Sequence, residues 1–561
     1  MRHSYLLPSI LLLAVSTSIG GQSPGQRQAR YLDQERSRRV AHYRKISTAK
    51  LSGTAQYRCR IVPEQNRIEI RYHVQIEEPG NLVLVIPAWN PGSYTIRNYG
   101  KQIMELKLGS RALERVQPGV WIARKIPSGP LELSYSVPAK NFAERSFRRR
   151  PRGADGKPKP RSQGAYSYQI NGAKLLVHEF SHVHLPCEIE FEVPKSWDIA
   201  TGMCGAAGTL HGYIEPGRWH FVARDYDILI DCPLKLGLFE SFSFKLRGVP
   251  FEVAIAGASP SWGDRQAFAR RLRRISNYYV ELFGGLPFDR YVYLCTIPGG
   301  GGLEHLNSTT VGLISSAGSR PGRMNPGDSL IAHEFFHAWN VKRLRPVALG
   351  PFDYTGPNRS SALWFCEGVT SYYAALGLVR TQLIKPDDYW RHIARRYSSL
   401  RNQAVRRRIS VADSSWKVWD GRYWGARDRI DYYLKGECLG LLLDIELRHA
   451  SSNRYSFDDV LRRLYAQVQR QQHGYAEEDI RRSFEHFAGR SFEGFFGRYV
   501  YGTDDLPVIE TLRRAGLDAT WSKPNGRSRL TISLRPGASS LARRIRHGLM
   551  TGTTNAEQIP H

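Results

Sequence analysis

The chain reads as an α+β protein of several domains, with a β-rich first half and a helical second half. Between about residues 54 and 255, segments such as Arg67–Glu77, Asn81–Ile86 and Glu188–Val193 alternate apolar and polar side chains with a period of two. Pro and Gly break these segments, which marks short, half-buried strands. From Asp328 onward apolar residues recur at helical spacing in blocks near 328–343, 361–378, 386–399, 428–449, 456–470 and 475–487. At 561 residues, 41% of them hydrophobic, the chain exceeds what one compact core holds and has the material for several.

The segments follow in order. Residues 1–21 have the form of a secretory signal: Arg2 and His3 precede apolar Leu6–Val15, and small residues run to Gly21. The apolar run falls well short of the ~20 residues a spanning helix needs, so the expected location is exported, periplasmic or secreted. Residues 22–53 are rich in Arg and Lys and read as a basic linker. Residues 54–255 form the N-terminal β-domain, of sandwich or saddle type. Within it Arg145–Arg161 is basic and laden with Pro and Gly, the mark of a loop. Residues 256–380 begin with a helix over Asp264–Phe283, a strand over Tyr291–Ile297 and a glycine run, Gly299–Gly302. Residues 381–505 continue as a helical domain, and 506–561 form a tail of mixed signals.

A net charge of +29 raises the question of nucleic acid. Runs at 22–50, 145–161 and 395–408 carry much of that charge, and none is interleaved with aromatics as a binding module would be. The expectation is solvated surface and electrostatic contact with an anionic envelope, with no specific nucleic-acid partner. The seven cysteines show no CxxC spacing, which argues against a cysteine metal site. In an exported chain they are candidates for disulfides, and the odd number leaves one thiol over. No feature of the sequence fixes an oligomeric state.

The chemistry concentrates at His333-Glu334-Phe335-Phe336-His337. Histidines at i and i+4 of a helix share one face and point at one metal ion, and Glu334 faces the open coordination position as the base for a zinc-activated water. Asp328 or Ser329 is the expected N-cap. The same motif recurs at His178-Glu179-Phe180-Ser181-His182, but between strand signals. In an extended segment i and i+4 lie ~13 Å apart, so this copy reads as a decoy. A third ligand is expected at Glu367, whose apolar neighbours Leu363–Cys366 would make an unpaired buried carboxylate costly. Gly299–Glu304 follows a strand. Gly301 and Gly302 offer backbone to an extended peptide, Glu304 a carboxylate for its α-ammonium, and His305 a neighbour that shapes the pocket. Tyr433 is a phenol able to donate to a developing oxyanion, or a packing residue.

At these residues the sequence resembles the glycyl aminopeptidase family of gluzincin zinc metallopeptidases, whose members usually carry a PDZ domain. The resemblance runs from about 54 to 520, through Trp89–Arg97, Asp225-Tyr226-Asp227, Asp231-Cys232-Pro233, Leu286–Tyr291, Gly301–His305, the His333 helix into Leu344, and Glu367-Gly368. It implies an N-terminal β-domain, a thermolysin-like zinc catalytic domain and a C-terminal helical domain closing over the cleft. It also implies that Glu304 matches the amine-binding glutamate. Tyr433 matches the tyrosine of a Tyr-x-Lys-Gly motif that stabilises the tetrahedral intermediate. Tyr501-Gly502 and Leu506-Pro507 resemble the lead into the PDZ domain, yet the residues left are too few for a complete one, and the last stretch reads as disordered. The function implied is that of an enzyme with one Zn2+ per chain that removes small N-terminal residues from peptides with a free N-terminus. Alternatives are a thermolysin-like endopeptidase and an inactive peptide-binding relative. The intact motif with Glu367 and Tyr433 argues against the last.

Overall fold

The computed structural model describes residues 24–109, 111, 113–144, 167–206, 211–257, 265–313, 324–421 and 429–554, with side chains from residue 34. The signal expected at 1–21 and the basic loop at 145–161 lie outside the described residues. The β-rich half and the helical half both appear. Strand Arg67–Glu78 shows the alternation directly: Ile68, Ile70, Tyr72, Val74 and Ile76 point inward while their neighbours stay accessible. It lies beside Lys50–Val62 in an eight-stranded sheet, with Cys187–Glu192 joined in parallel on the far side. Smaller sheets pack against it. In one of them Leu82–Val85 is buried on both faces, so the strand there does not alternate.

The stretch expected as a basic linker is structured. Pro24–Ile46 is a helix and the first strand starts at Lys50. Good helix formers dominate its composition, and its end is held by Tyr43 packing on Phe180 at 5.4 Å. Arg39 bonds Asp353 at 2.8 Å and Arg36 bonds the carbonyl of Ala348 at 2.9 Å. The charges therefore include anchors to a distant loop. Likewise, within the third basic run Arg396 pairs with Glu437, and Arg406 and Arg407 pair with Asp505.

The boundary expected at 255 moves to about 238. Strands Glu240–Leu246 and Val249–Ala256 belong to a five-stranded sheet with Tyr291–Thr296, Ser308–Gly312 and, at its edge, Gly302–Glu304. This sheet, the helices after residue 324 and the tail share one apolar core that runs to Leu549. The tail is not disordered through residue 554. Hairpin Leu517–Ser522/Arg529–Leu534 packs on helix Pro386–Arg401, where the Leu530 amide donates to the Ser398 hydroxyl at 2.9 Å. Helix Ser540–Thr551 seats Ile545 and Leu549 in the core. Its end is tied by Arg380, which bonds the carbonyl of Leu549 at 3.0 Å. All seven cysteines are free thiols, six of them buried. Among the described residues no helix is long and apolar enough to cross a membrane.

Candidate metal and peptide site

The motif helix is Pro326–Phe336, capped by Asn325, whose side chain accepts from the Gly327 amide at 2.8 Å. Asp328, an expected cap, instead sits in the first turn beside Arg271 at 3.2 Å. Pro326 at the first helical position makes Asn325 the better cap. The helix ends at Phe336, so the expected run to 343 is replaced by turns through Leu344. His333 and His337 nevertheless share one face, with their Nε2 atoms 3.0 Å apart.

Glu367 comes from a π-turn, Trp364–Val369, that opens the next helix, Thr370–Arg380. Such a bulge re-aims a side chain and is frequent at functional sites. Its Oε2 lies 3.4 Å from His333 Nε2 and 3.3 Å from His337 Nε2. Donors held roughly 2.1 Å from a tetrahedral zinc ion lie roughly 3.4 Å from one another. The three atoms therefore fit one such ion and leave a fourth position open. The rings are oriented from behind. His337 Nδ1 faces the carbonyl of Asn340 at 2.7 Å, and His333 Nδ1 faces the Ser371 hydroxyl at 3.3 Å. Asn340 also ties the two segments together, donating to the carbonyl of Phe365 and to the Thr370 hydroxyl, each at 3.1 Å.

A cavity of about 770 Å3 opens over these groups, lined by Gly301, Gly302, Glu304, Glu334 and Tyr433 together with the three donors. Gly302 has no room for a side chain, since a Cβ would press into Glu334. Glu304, Glu334 and His337 each bring an atom within 4.8 Å of the others. Glu304 Oε1 and Glu334 Oε2 are buried without a partner among the described residues. Burial raises the carboxyl of Glu334 well above the usual range, and Glu304 and Glu367 beside it act in the same direction. Burial raises Glu304 as well. Burial also opposes charge on Glu367, yet His337 and His333 hold it down at about 2. Three carboxylates gathered at one buried pocket favour a bound cation there.

Tyr433 enters from helix Tyr432–Ala450, whose first turn is capped by Asp431. Its ring stacks 6.0 Å from that of His333, and burial raises its pKa so that the phenol keeps its proton. Gly368 and Gly436 let this helix cross the π-turn. A Cβ on Gly436 would lie 2.8 Å from Gly368 Cα, and one on Gly368 would meet the carbonyl of Tyr432 at 2.7 Å. That close approach brings Glu367 and Tyr433 to the same cavity.

Two family models match the chain: M61 glycyl aminopeptidase over residues 328–439 and the peptidase M61 N-terminal domain over 56–238. Together they span more than half of its length. The chain belongs to the M61 glycyl aminopeptidase family. The M61 chain superposes on the crystal structure of an aminopeptidase N family protein from Idiomarina loihiensis with a TM-score of 0.72 at 24% identity, over 84% of this chain and 80% of that one. An M1 zinc metallopeptidase variant from Deinococcus radiodurans, bound to a Tyr-Ser-Ala substrate, gives 0.50 at 13% identity over 82% and 95%. These likenesses show the fold: a β-rich N-terminal part and a helical C-terminal part. No curated protein matches. The family is one of peptidases, and hydrolysis of peptides is the activity it supports.

In this M61 chain one expected pocket residue lies elsewhere. His305 faces Asp231, 3.3 Å from its Oδ1, behind the Glu304 strand and away from the cavity. Lys342 joins Asp231 from the other side at 2.6 Å. Residues that sequence reasoning passed over include Ser371, four positions after Glu367, and His392, which lines the cavity and meets Glu437 at 2.6 Å. Helical spacing from Glu367 was the available signal for Ser371. The 178–182 copy forms no metal cluster among the described residues. Its geometry differs from the extended one expected, because the strand stops at Glu179 and a turn follows.

Proposed function

We propose that the chain is a zinc-dependent aminopeptidase that releases small residues from the N-termini of peptides outside the cytoplasm. The observation that carries this reading is the buried carboxylate of Glu304, whose Oε1 has no partner among the described residues and which lies within 4.8 Å of Glu334 and His337. A carboxylate there holds an α-ammonium one residue's length from the carbonyl addressed by Glu334, which selects free N-termini. His333, His337 and Glu367 would hold a zinc ion, which would supply Lewis acidity and a water made acidic enough to lose its proton near neutral pH. Glu334, a carboxyl whose proton affinity is raised by its surroundings, accepts that proton and returns one to the leaving amine. Tyr433, kept neutral by burial, donates a hydrogen bond to the carbonyl oxygen as charge grows on it. Among the described residues the edge strand Gly302–Glu304 pairs with one neighbour, Ser308–Gly312, which leaves its other edge to the substrate backbone. The preference for small residues follows from family membership, and the leader-like residues 1–21 support action after export.

An aminoacyl-nitroanilide panel tests the proposal. Glycyl and alanyl substrates turn over fastest, a chelator stops turnover and zinc restores it, and N-acetylation of the substrate abolishes it. Equal rates on acetylated and free peptides would make the enzyme an endopeptidase instead.

A further inference from the structure

The motif Trp89–Arg97 has no part in the chemistry above, yet it borders the site. Trp89 is pinned by its indole N–H to the carbonyl of Asp353 at 2.9 Å, and the amide of Arg97 bonds the carbonyl of Ala88 at 2.7 Å. Between them Gly92, at φ +86°, lies against Glu304; a Cβ there would meet its Oε1 at 2.6 Å. This loop separates two cavities. Gly92 lines the one that holds Glu304, and Asn90 and Ser93 line a second of about 1250 Å3. Gly302 lines both, so the edge strand leads from one into the other.

The second cavity is positive. Arg97, Lys140 and Lys174 border it and make no ion pair among the described residues. Its acid, Glu144, is already bonded to buried Lys235 at 2.5 Å. Lys174 lies over the Tyr99 ring at 5.9 Å, and its pKa is lowered by burial and by Arg97 close by. Asn90 Oδ1, on a residue 3% exposed, is buried without a partner among the described residues at the same border. A peptide whose ammonium sits at Glu304 and which pairs antiparallel with Gly302–Glu304 runs toward Gly302, and so into this basin. We infer that the basin is a carboxylate-binding subsite for the far end of the substrate, making the enzyme selective for short peptides whose C-terminal carboxylate, or an acidic side chain a few residues in, reaches Arg97 and Lys174. This rests on the peptidase reading above. Asn90 supplies an acceptor for a backbone N–H along the way.

The test is binding without turnover. Zinc-loaded Glu334→Gln protein is titrated calorimetrically with Gly-Ala-Ala, its C-terminal amide, and Gly-Ala-Glu amide. At least one carboxylate-bearing peptide binds roughly tenfold more tightly than Gly-Ala-Ala amide, the size of one charge-assisted contact. Which one it is assigns the carboxylate to the terminus or to a side chain. The preference collapses when Arg97→Gln, an exposed position, or Arg97→Gln with Lys174→Met is added, with thermal unfolding checking that each variant folds. Equal binding of all three peptides overturns the inference, as does a preference that survives both substitutions. Because this ratio is read without catalysis, a wild type that fails to cleave nitroanilides would sink the aminopeptidase reading and leave the subsite result standing.

Discussion

Residues 178–182 and 333–337 spell the same five-residue motif, and the protein uses them in opposite ways. At 333–337 a helix carries both imidazoles to one face, and their outer nitrogens converge on a carboxylate from another segment. At 178–182 the glutamate is the hub. Glu179 accepts from the Val83 amide at 3.2 Å, the Ser47 hydroxyl at 2.5 Å and the Ser181 amide at 2.8 Å, and it faces His182 at 2.7 Å. Both nitrogens of His182 are engaged, the second by the Leu51 amide at 3.2 Å. One copy keeps a glutamate oxygen unsatisfied for a ligand, and the other spends its glutamate on holding the β-domain together. Free donors and acceptors, more than residue identity, separate a site from a lock.

The largest contrast should come from the two glutamates. Glu334→Gln is expected to lower kcat by roughly 10^2- to 10^4-fold, the range for loss of a general base, with little change in Tm. Glu179→Gln should retain turnover yet destabilise the fold by about 1–3 kcal/mol, because buried donors lose their acceptor. Steady-state kinetics and denaturant melts on both proteins read the outcome, and interchange of the two phenotypes would reverse the assignment. Metal content should divide the same way. His337→Ala abolishes stoichiometric zinc after dialysis and His182→Ala leaves it intact.

How much of this was legible beforehand depends on range. The helix and the pairing of His333 with His337 follow from local periodicity, and Glu367 follows from the cost of a buried acid in Leu363–Cys366. The strand alternation of 67–77 is equally local. What failed to show was set by distant partners. The Arg-rich stretch before residue 50 looked like a linker because its anchors, Asp353 and the carbonyl of Ala348, lie hundreds of positions away. The tail looked disordered because its apolar residues find their partners on helices Pro386–Arg401 and Thr370–Arg380. Adjacency to Glu304 suggests His305 as a pocket residue, but the strand ends at Glu304 and His305 instead meets Asp231, a partner 74 positions away.

Acid separates the two motifs in a third way. His178 is buried against Tyr226, with ring centres 4.1 Å apart, and burial lowers its pKa from 6.5 to about 4. A folded-state pKa below the unfolded value means that the unfolded chain binds more protons between pH 6.5 and about 4. Stability is then complete above pH 6.5 and falls as pH drops through that window, by up to about 3 kcal/mol. His178→Phe keeps the ring packing and removes the titration, so its denaturation midpoint should vary less with pH across this range than that of the wild type. Parallel pH profiles for the two proteins would contradict the assignment.

The smallest expected effect concerns the helix crossing that the 178–182 copy lacks. Gly436→Ala lies inside a helix, where the substitution ordinarily stabilises by about 1 kcal/mol. Here the added methyl would lie 2.8 Å from Gly368 Cα and press on the carbonyl of Trp364, so the helix and the π-turn must part. The sign therefore reverses, to a loss of about 1–3 kcal/mol from overpacking. Parting these segments also moves Tyr433 relative to Glu367, so kcat should fall further than the change in stability explains. An Ala variant that melts higher than the wild type and turns over normally would show that the crossing has slack. The convergence of phenol and carboxylate would then need a cause other than the paired glycines.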